Sequence, residues 1–413
     1  MGTNTNQSQK SETKKRTPGG PALKAALKKT RRGTTAPARP TQQNHQVNHP
    51  KNQRSAGLAR TSSPATASPL QAVPRDAAKQ KTNSSKKFKL APEALVKIHD
   101  GMIKARVLEE RLIRMFKSNQ GYFWLGGPGE EAWNIPLGLQ IKRGQGLDND
   151  YLHLHYRSGG ILVAMGLDPM DSIRQMKNVS TDPFSGGRNF VSHYSKREWN
   201  IPPITSTIET QYATAIGTGI AQKRHGGTGL TLVNGGDAGT AEGEFASCLV
   251  WSTRPGMELP LLIVVTNNRF GISTPARTQH GEKCIADRAR AFGIPAKVIN
   301  GNDVEESWFA IEEAMEYIRK ERKPYFIESR VSRLYGHSSA SGANFVTNEE
   351  DPIVTFEKQL EDAGVLSRQE MTELRDRYTA EMLEMSKKVQ EEPMPDPSTI
   401  YDHIYCGQKG KYW

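Results

Sequence analysis

Asp237 and Asn268 stand about thirty residues apart, and each follows a short apolar run, residues 230–234 in one case and 261–266 in the other. Both runs read as strands, and residues 244–252 between them carry a helical pattern. A strand–helix–strand unit sets the two strand ends side by side, where ligands of parallel sheets bind. One carboxylate and one amide oxygen at that place suit a small hard cation. Magnesium takes few protein oxygens and completes its shell with phosphate and water. The turn Gly236-Asp237-Ala238-Gly239 lets backbone N–H groups approach phosphates, and the helix after it adds a favourable dipole. By itself, the same stretch also fits an ordinary glycine-rich strand–helix turn.

The elements around these residues alternate. Leu95, Ile98, Met102, Ala105, Leu108, Leu112 and Met115 recur at three- and four-residue steps. They predict one long amphipathic helix, with Pro92 in its first turn and Gly121 as its stop. A loop, Trp124-Leu125-Gly126-Gly127-Pro128-Gly129-Glu130-Glu131-Ala132, leads into another helix. Helices are expected over 210–221 and 305–322, strands over 297–299 and 325–329, and a charged helix over 353–391 broken near Gly364. This order predicts an α/β fold, a parallel sheet sandwiched by helices. A helical entry would occupy about 92–150, the α/β core about 151–350 and a C-terminal helical segment about 351–413.

The net charge of +12 suggests nucleic acid until it is located. Residues 1–90 hold 19 Lys and Arg against Glu12 and Asp76, which leaves 37 basic and 42 acidic residues in 91–413, a net of −5. The basicity belongs to the tail. Residues 1–88 are polar, almost without aromatics, and predict a disordered basic tail with weak polyanion affinity. Nucleic-acid binding and a role in targeting stay open as its alternatives. Cys248, Cys284 and Cys406 have no spacing that fits a disulfide framework or a zinc site, which favours a reducing compartment. No apolar run approaches the roughly 18 residues of a membrane span. A bacterial-type cytoplasm is the expected location, with the mitochondrial matrix as the alternative should the tail be a transit sequence.

The segment from Gly236 to Asn268 resembles the thiamine diphosphate-binding motif, Gly-Asp-Gly followed by Asn-Asn. Several further motifs occur in order across about 92–406: His155-Tyr156-Arg157-Ser158-Gly159, Gly186-Gly187-Arg188 with His193-Tyr194, Asn268-Arg269-Phe270-Gly271-Ile272-Ser273, Asn300-Gly301-Asn302-Asp303 and Tyr335-Gly336-His337-Ser338. Together they resemble the alpha subunits of the 2-oxoacid dehydrogenase E1 enzymes. The resemblance implies the thiamine diphosphate-binding fold and the oxidative decarboxylation of a 2-oxo acid, with acyl transfer to the lipoyl domain of an E2 partner.

It also implies roles. Asp237 and Asn268 would bind Mg2+ through their side chains and Phe270 through its backbone oxygen. Tyr156 and Arg157 would hold the diphosphate of the cofactor, with Gly236, Ala238 and Gly239 forming the turn around it. Arg288 matches another phosphate-proximal arginine, although a surface ion pair is an equally ordinary use of such a residue. Ser206 and the carbonyl of Ile208 match positions that hold the aminopyrimidine, and Ile208 would wedge the cofactor into its bent shape. The same loop could serve simply as a helix cap. Thr205, Thr210 and Gln211 sit where some relatives bind K+, with Thr207 replacing a proline. His337 matches an active-site histidine and His193 is a weaker candidate, while His153 and His155 read as packing or solvent residues. Activation of the cofactor needs a carboxylate that the family takes from a beta subunit, so an alpha2-beta2 heterotetramer is implied.

Three departures stand out. Ala238 replaces the second glycine of the motif, at a cost of about 1 kcal/mol if that position needs positive φ. That residue is also the one support for reading the chain as a catalytically silent scaffold. The loop after His337 reads Ser338-Ser339-Ala340-Ser341 where relatives commonly place Ser-Asp. The Trp124 region lacks the histidine of pyruvate-specific members, which tilts the expected substrate toward branched-chain or a broad range of 2-oxo acids, with pyruvate as the alternative.

Overall fold

The structure, a computed structural model, describes residues 87–402. The expected tail lies outside the described residues except for Lys87 and Phe88, and Phe88 belongs to the body. Its ring meets Phe356 edge-on at 6.0 Å, and the next two backbone N–H groups, Lys89 and Leu90, donate to the buried carboxylate of Glu305. Cys406 is also outside the described residues.

Helix α1 (Pro92–Lys117) opens on proline and buries the predicted stripe from Leu95 to Met115. It ends short of the expected stop. Ser118 caps the last turn, its Oγ donating to Arg114 O, whereas Gly121 is glycine because Met176 packs against its Cα. Helix α2 (Glu131–Gln140) follows, then the short strand β1 (Tyr151–His153), α3 (Gly159–Ala164), α4 (Pro169–Lys177) and α5 (Thr210–Arg224). Strand β2 (Thr231–Gly236), α6 (Gly243–Ser252) and β3 (Leu261–Asn267) form the predicted strand–helix–strand unit. A small hairpin, β4 (Phe270–Gly271) and β5 (Thr274–Pro275), precedes α7 (Ala286–Ala291), β6 (Ala296–Asn300), α8 (Val304–Glu321) and β7 (Tyr325–Arg330). The expected break at Gly364, φ +71°, separates α9 (Pro352–Asp362) from α10 (Arg368–Gln390), which starts on a capping box of Ser367 and Glu370.

Five strands form one parallel sheet in the order β1-β2-β3-β7-β6. Alternation along the strands sends side chains to opposite faces. Leu232, Leu262, Val264 and Ile327 meet Ile161, Ile311 and Met315 on one side. Val233, Ile263, Val265 and Phe326 meet Tyr212, Phe245, Leu249 and Ala289 on the other. Helices therefore cover both faces, as the sequence predicts. A third core joins α1 to α4, α9 and α10. Its seam includes a buried polar clasp. Arg106 of α1 donates to both oxygens of Glu131 and both of Asp351, and Glu131 in turn accepts from Gly129 N. That clasp fixes the glycine-rich loop in front of α2.

Candidate active site at the strand ends

Strands β2 and β3 pair with Gly236 opposite Thr266, so Asp237 and Asn268 emerge at neighbouring strand ends. Asp237 is 1% exposed, and its Oδ2 has no hydrogen-bond partner. Burial pushes its carboxyl above the usual carboxylate range, against the pull of nearby His280 and of backbone N–H groups. Asn268 turns its Oδ1 to accept from Phe270 N at 3.2 Å. Ala238 opens a short 3-10 turn over Ala238–Ala241 and does not occupy the left-handed region, so alanine is unstrained there and the expected penalty does not arise. The strict requirement falls on Gly239 instead. A Cβ there would collide with the carboxylate of Glu209.

The facing wall comes from the end of β1. Arg157, buried to 4% exposure, donates through Nη1 to Gly126 O and through Nη2 to His337 Nδ1 at 2.9 Å and to His337 O at 3.1 Å. Gly127 lets the Arg157 carbonyl approach, because a Cβ would clash with it. The guanidinium also lies 5.4 Å from the Tyr156 ring, and the His155 ring lies tilted against that ring at 3.8 Å between centroids. A guanidinium only donates, so His337 Nδ1 accepts and the ring proton resides on Nε2. Burial, with Arg157 and Arg333 adding repulsion, lowers the His337 pKa to about 4.

These arginines feel the pull of Glu130, Asp237 and Glu349 at a distance but form no close ion pair. Among the described residues no acid lies within ion-pair distance of Arg157 or Arg333, and Nη1 of Arg333 is buried without a partner. Two buried acids close by are pushed toward their neutral forms. Burial drives Glu130 up to about 8 against the attraction of Arg157, and drives Glu109 up to about 7 against the Trp124 hydrogen bond.

A cavity of about 290 Å³ joins the two walls. Tyr156, Arg157, Ile208, Gly236, Asp237, Ala238, Gly239, Asn268, Phe270 and His337, all singled out in the sequence, line it. Ser206 and Arg288 do not. Ser206 Oγ pairs with His193 Nε2 at 2.6 Å on the exposed loop beside Ile208. Arg288 sits behind the turn, donating to Thr240 O at 2.6 Å and pairing with Glu282. Among the K+ candidates, Gln211 Nε2 donates to Asn234 O and to Glu209 Oε2, and Thr205 Oγ1 accepts from Thr207 N.

The sequence reading missed His155, Glu209, Glu242, Gly271, Ile272 and Gln279 as lining residues. His155, expected only to pack or face solvent, was signalled by its place directly before Tyr156-Arg157. Glu209 directly follows Ile208, yet no pattern gives a lone acid before a helix a place in the site. His153 is a packing residue, as expected, held between Thr214 and Thr218 of α5.

Residues 99–398 match the family described as Dehydrogenase E1 component. The chain belongs to that family. This E1-family chain is 26% identical over 333 residues to the 2-oxoisovalerate dehydrogenase subunit alpha of Bacillus subtilis (strain 168), covering 79% of this chain and 99% of the relative. It is 26% identical over 335 residues to the mitochondrial 2-oxoisovalerate dehydrogenase subunit alpha 2 of Arabidopsis thaliana, covering 79% and 69% respectively. The mitochondrial 2-oxoisovalerate dehydrogenase subunit alpha of Homo sapiens is 23% identical over 333 residues, covering 78% and 73%. No helix among the described residues of this E1-family chain is long and apolar enough to cross a membrane.

Proposed function

We propose that this chain is the alpha subunit of a thiamine diphosphate- and Mg2+-dependent 2-oxoacid dehydrogenase, with branched-chain 2-oxo acids as its preferred substrates. One observation carries the reading: a single cavity sets a buried carboxylate oxygen without a partner, Asp237 Oδ2, against a buried guanidinium without a counter-acid, Arg157. Isolated buried charges of both signs are costly, and a bound cation–polyanion pair relieves both at once. The donors are hard oxygens on one side and a planar fork on the other, the sets that magnesium and a diphosphate respectively require.

Asp237, Asn268 and the Phe270 carbonyl would hold the cation, and Tyr156 and Arg157 the diphosphate. Ile208 and Ser206 would orient the pyrimidine end, and Arg288 would lie close to the phosphates. Bound there, thiamine diphosphate would supply the electron sink that decarboxylation of a 2-oxo acid needs. His337 acts as a neutral ring whose Nε2 keeps its proton, so it donates a hydrogen bond into the cavity while Arg157 holds it in place. Ile208 and Ile272 stand 42% and 59% exposed at the mouth, an apolar rim that suits closure by a beta subunit in an alpha2-beta2 assembly. The names of the relatives support the branched-chain preference. The unstrained Ala238 takes away the one argument for a silent scaffold.

The test is dye-coupled oxidative decarboxylation by the tagged chain purified with its natural partners. The expected result is activity that requires both thiamine diphosphate and magnesium and is highest with branched-chain 2-oxo acids. Absence of activity with every 2-oxo acid, despite a stoichiometric beta-like partner, would sink the proposal.

A further inference from the structure

Glu209 is a buried acid that the reading above does not use. It stands at φ +67° immediately before α5, in a region where a residue with a Cβ is uncommon. Its side chain is 1% exposed and lines the cavity between Ile208 and the turn that bears Asp237. Among the described residues no cation pairs with it. Its side-chain hydrogen bonds run to the turn and to Gln211. Oε1 accepts from Gly236 N at 3.3 Å, and Oε2 accepts from Gln211 Nε2 at 3.4 Å, while Gln211 also donates to Asn234 O at 3.1 Å. The carboxylate fills the space beside two glycines, since a Cβ on either Gly235 or Gly239 would run into its oxygens. A residue in an unfavourable backbone conformation, buried without a counter-charge and fitted against two glycines, points to a role in holding the turn.

We propose that Glu209 is a positioning residue, its carboxylate wedged beneath the turn 235–239 so that Asp237 presents its free oxygen to the divalent cation. The inference rests on the cation-binding reading of Asp237 and Asn268. Residues that orient a metal ligand typically change metal affinity by about 10- to 100-fold when removed. The shape and the one acceptor oxygen that faces Gly236 N are what the turn needs, and an isosteric amide keeps both while giving up only the long 3.4 Å contact from Gln211 Nε2.

The experiment uses the full chain purified with its partner subunit, with Mn2+ as the probe for the magnesium site and thiamine diphosphate present, read by electron paramagnetic resonance. Wild type should bind Mn2+ in a cofactor-dependent way, and Glu209→Gln should stay within about threefold of it. Glu209→Ala should bind at least about tenfold more weakly and give an altered Mn2+ spectrum. Gly239→Ala should be similarly weak, since its methyl would push the Glu209 carboxylate out of place, and adding Glu209→Ala to it should weaken binding little further, because both changes remove the same support. Should Glu209→Ala not fold, Glu209→Asp, one methylene too short to reach Gly236 N, decides in the same way. Wild-type affinity in the Ala or Asp variant, or a Gln variant as weak as Ala, overturns the positioning role. A wild-type protein that binds no Mn2+ overturns the cofactor reading itself, and the inference with it.

Discussion

Arg157 Nη2 donates to His337 Nδ1 at 2.9 Å, joining the end of β1 to a loop that follows β7 at the far side of the cavity. Because arginine only donates, this contact selects the neutral imidazole with its proton on Nε2. A resonance of His337 should therefore show no titration near pH 6.5 and should begin to protonate only around pH 4, the value to which burial and the two arginines lower it. Lysine cannot reach Gly126 O, His337 Nδ1 and His337 O together, so Arg157→Lys should reduce kcat/KM by about tenfold or more while the protein stays folded. Steady-state kinetics alongside a two-dimensional NMR titration check both points.

Stability without cofactor should fall as the pH rises from about 5 to 8. Glu130, whose pKa burial raises from 4.5 to about 8, keeps its proton in the folded state across a range where the unfolded chain has lost it. The folded state then binds more protons, and raising the pH works against it. His153 and His337 act in the opposite sense below pH 6.5, since burial lowers both to about 4 and the unfolded chain takes up protons first. Glu109 and Glu209, which burial raises to about 7 and about 8, act in the same sense, so Glu130→Gln should lessen the alkaline fall and leave the acid limb in place, as read by thermal midpoints between pH 4 and 8.5. An unchanged alkaline slope would remove Glu130 as its source.

Asp237→Asn should separate stability from function. The substitution removes a buried carboxyl whose Oδ2 has no partner, so the cofactor-free protein should gain on the order of 1 kcal/mol. Magnesium-dependent binding of thiamine diphosphate should be lost in the same variant. Urea unfolding and isothermal titration calorimetry measure the two effects.

Ala238→Gly restores the motif's second glycine but should improve nothing. Ala238 sits in a 3-10 turn outside the left-handed region, and its Cβ packs toward Gly271. The expected outcome is a loss of about 0.5–1 kcal/mol with unchanged cofactor affinity, because glycine only adds chain entropy there. A clear gain in affinity would show that the turn is strained after all.

Arg106→Met should cost about 3–5 kcal/mol, since it strands the buried Glu131 and the largely buried Asp351 without their common partner. The same change loosens Gly129 and the loop before it, so cofactor affinity should drop as well. Replacing Arg106, Glu131 and Asp351 together with apolar residues should recover much of the stability and little of the affinity. Chemical denaturation and calorimetry on both variants test this.

The strand–helix–strand unit was legible because its signal is local. Two apolar runs and the residue just past each of them are enough to place Asp237 and Asn268. Tyr156, Arg157, Ile208 and His337 came from family resemblance, since no periodicity marks a residue on a loop. The end of α1 was misplaced because Gly121 serves a close approach to Met176 rather than a cap. Phe88 was assigned to the tail on composition, which does not register one aromatic that finds Phe356 across the chain. Glu209 was out of reach for the same reason. What gives it meaning is its contact with Gly235 and Gly239, which only the folded chain brings to it.

The sheet order has a kinetic consequence. Strand β1 has three residues and a single neighbour, β2, which lies far along the chain, and β3 finds β7 only after α7, β6 and α8 have intervened. Such distant pairings must close long loops before they return any stabilisation, and topologies dominated by them fold slowly. The cavity takes its walls from segments as far apart as His155 and His337, so it belongs to the finished sheet and to no part of it. A nascent chain that has emerged only just past β3 holds Asp237 and Asn268 but neither β7 nor His337, and it must wait for the rest of its own synthesis before it has anything to bind with.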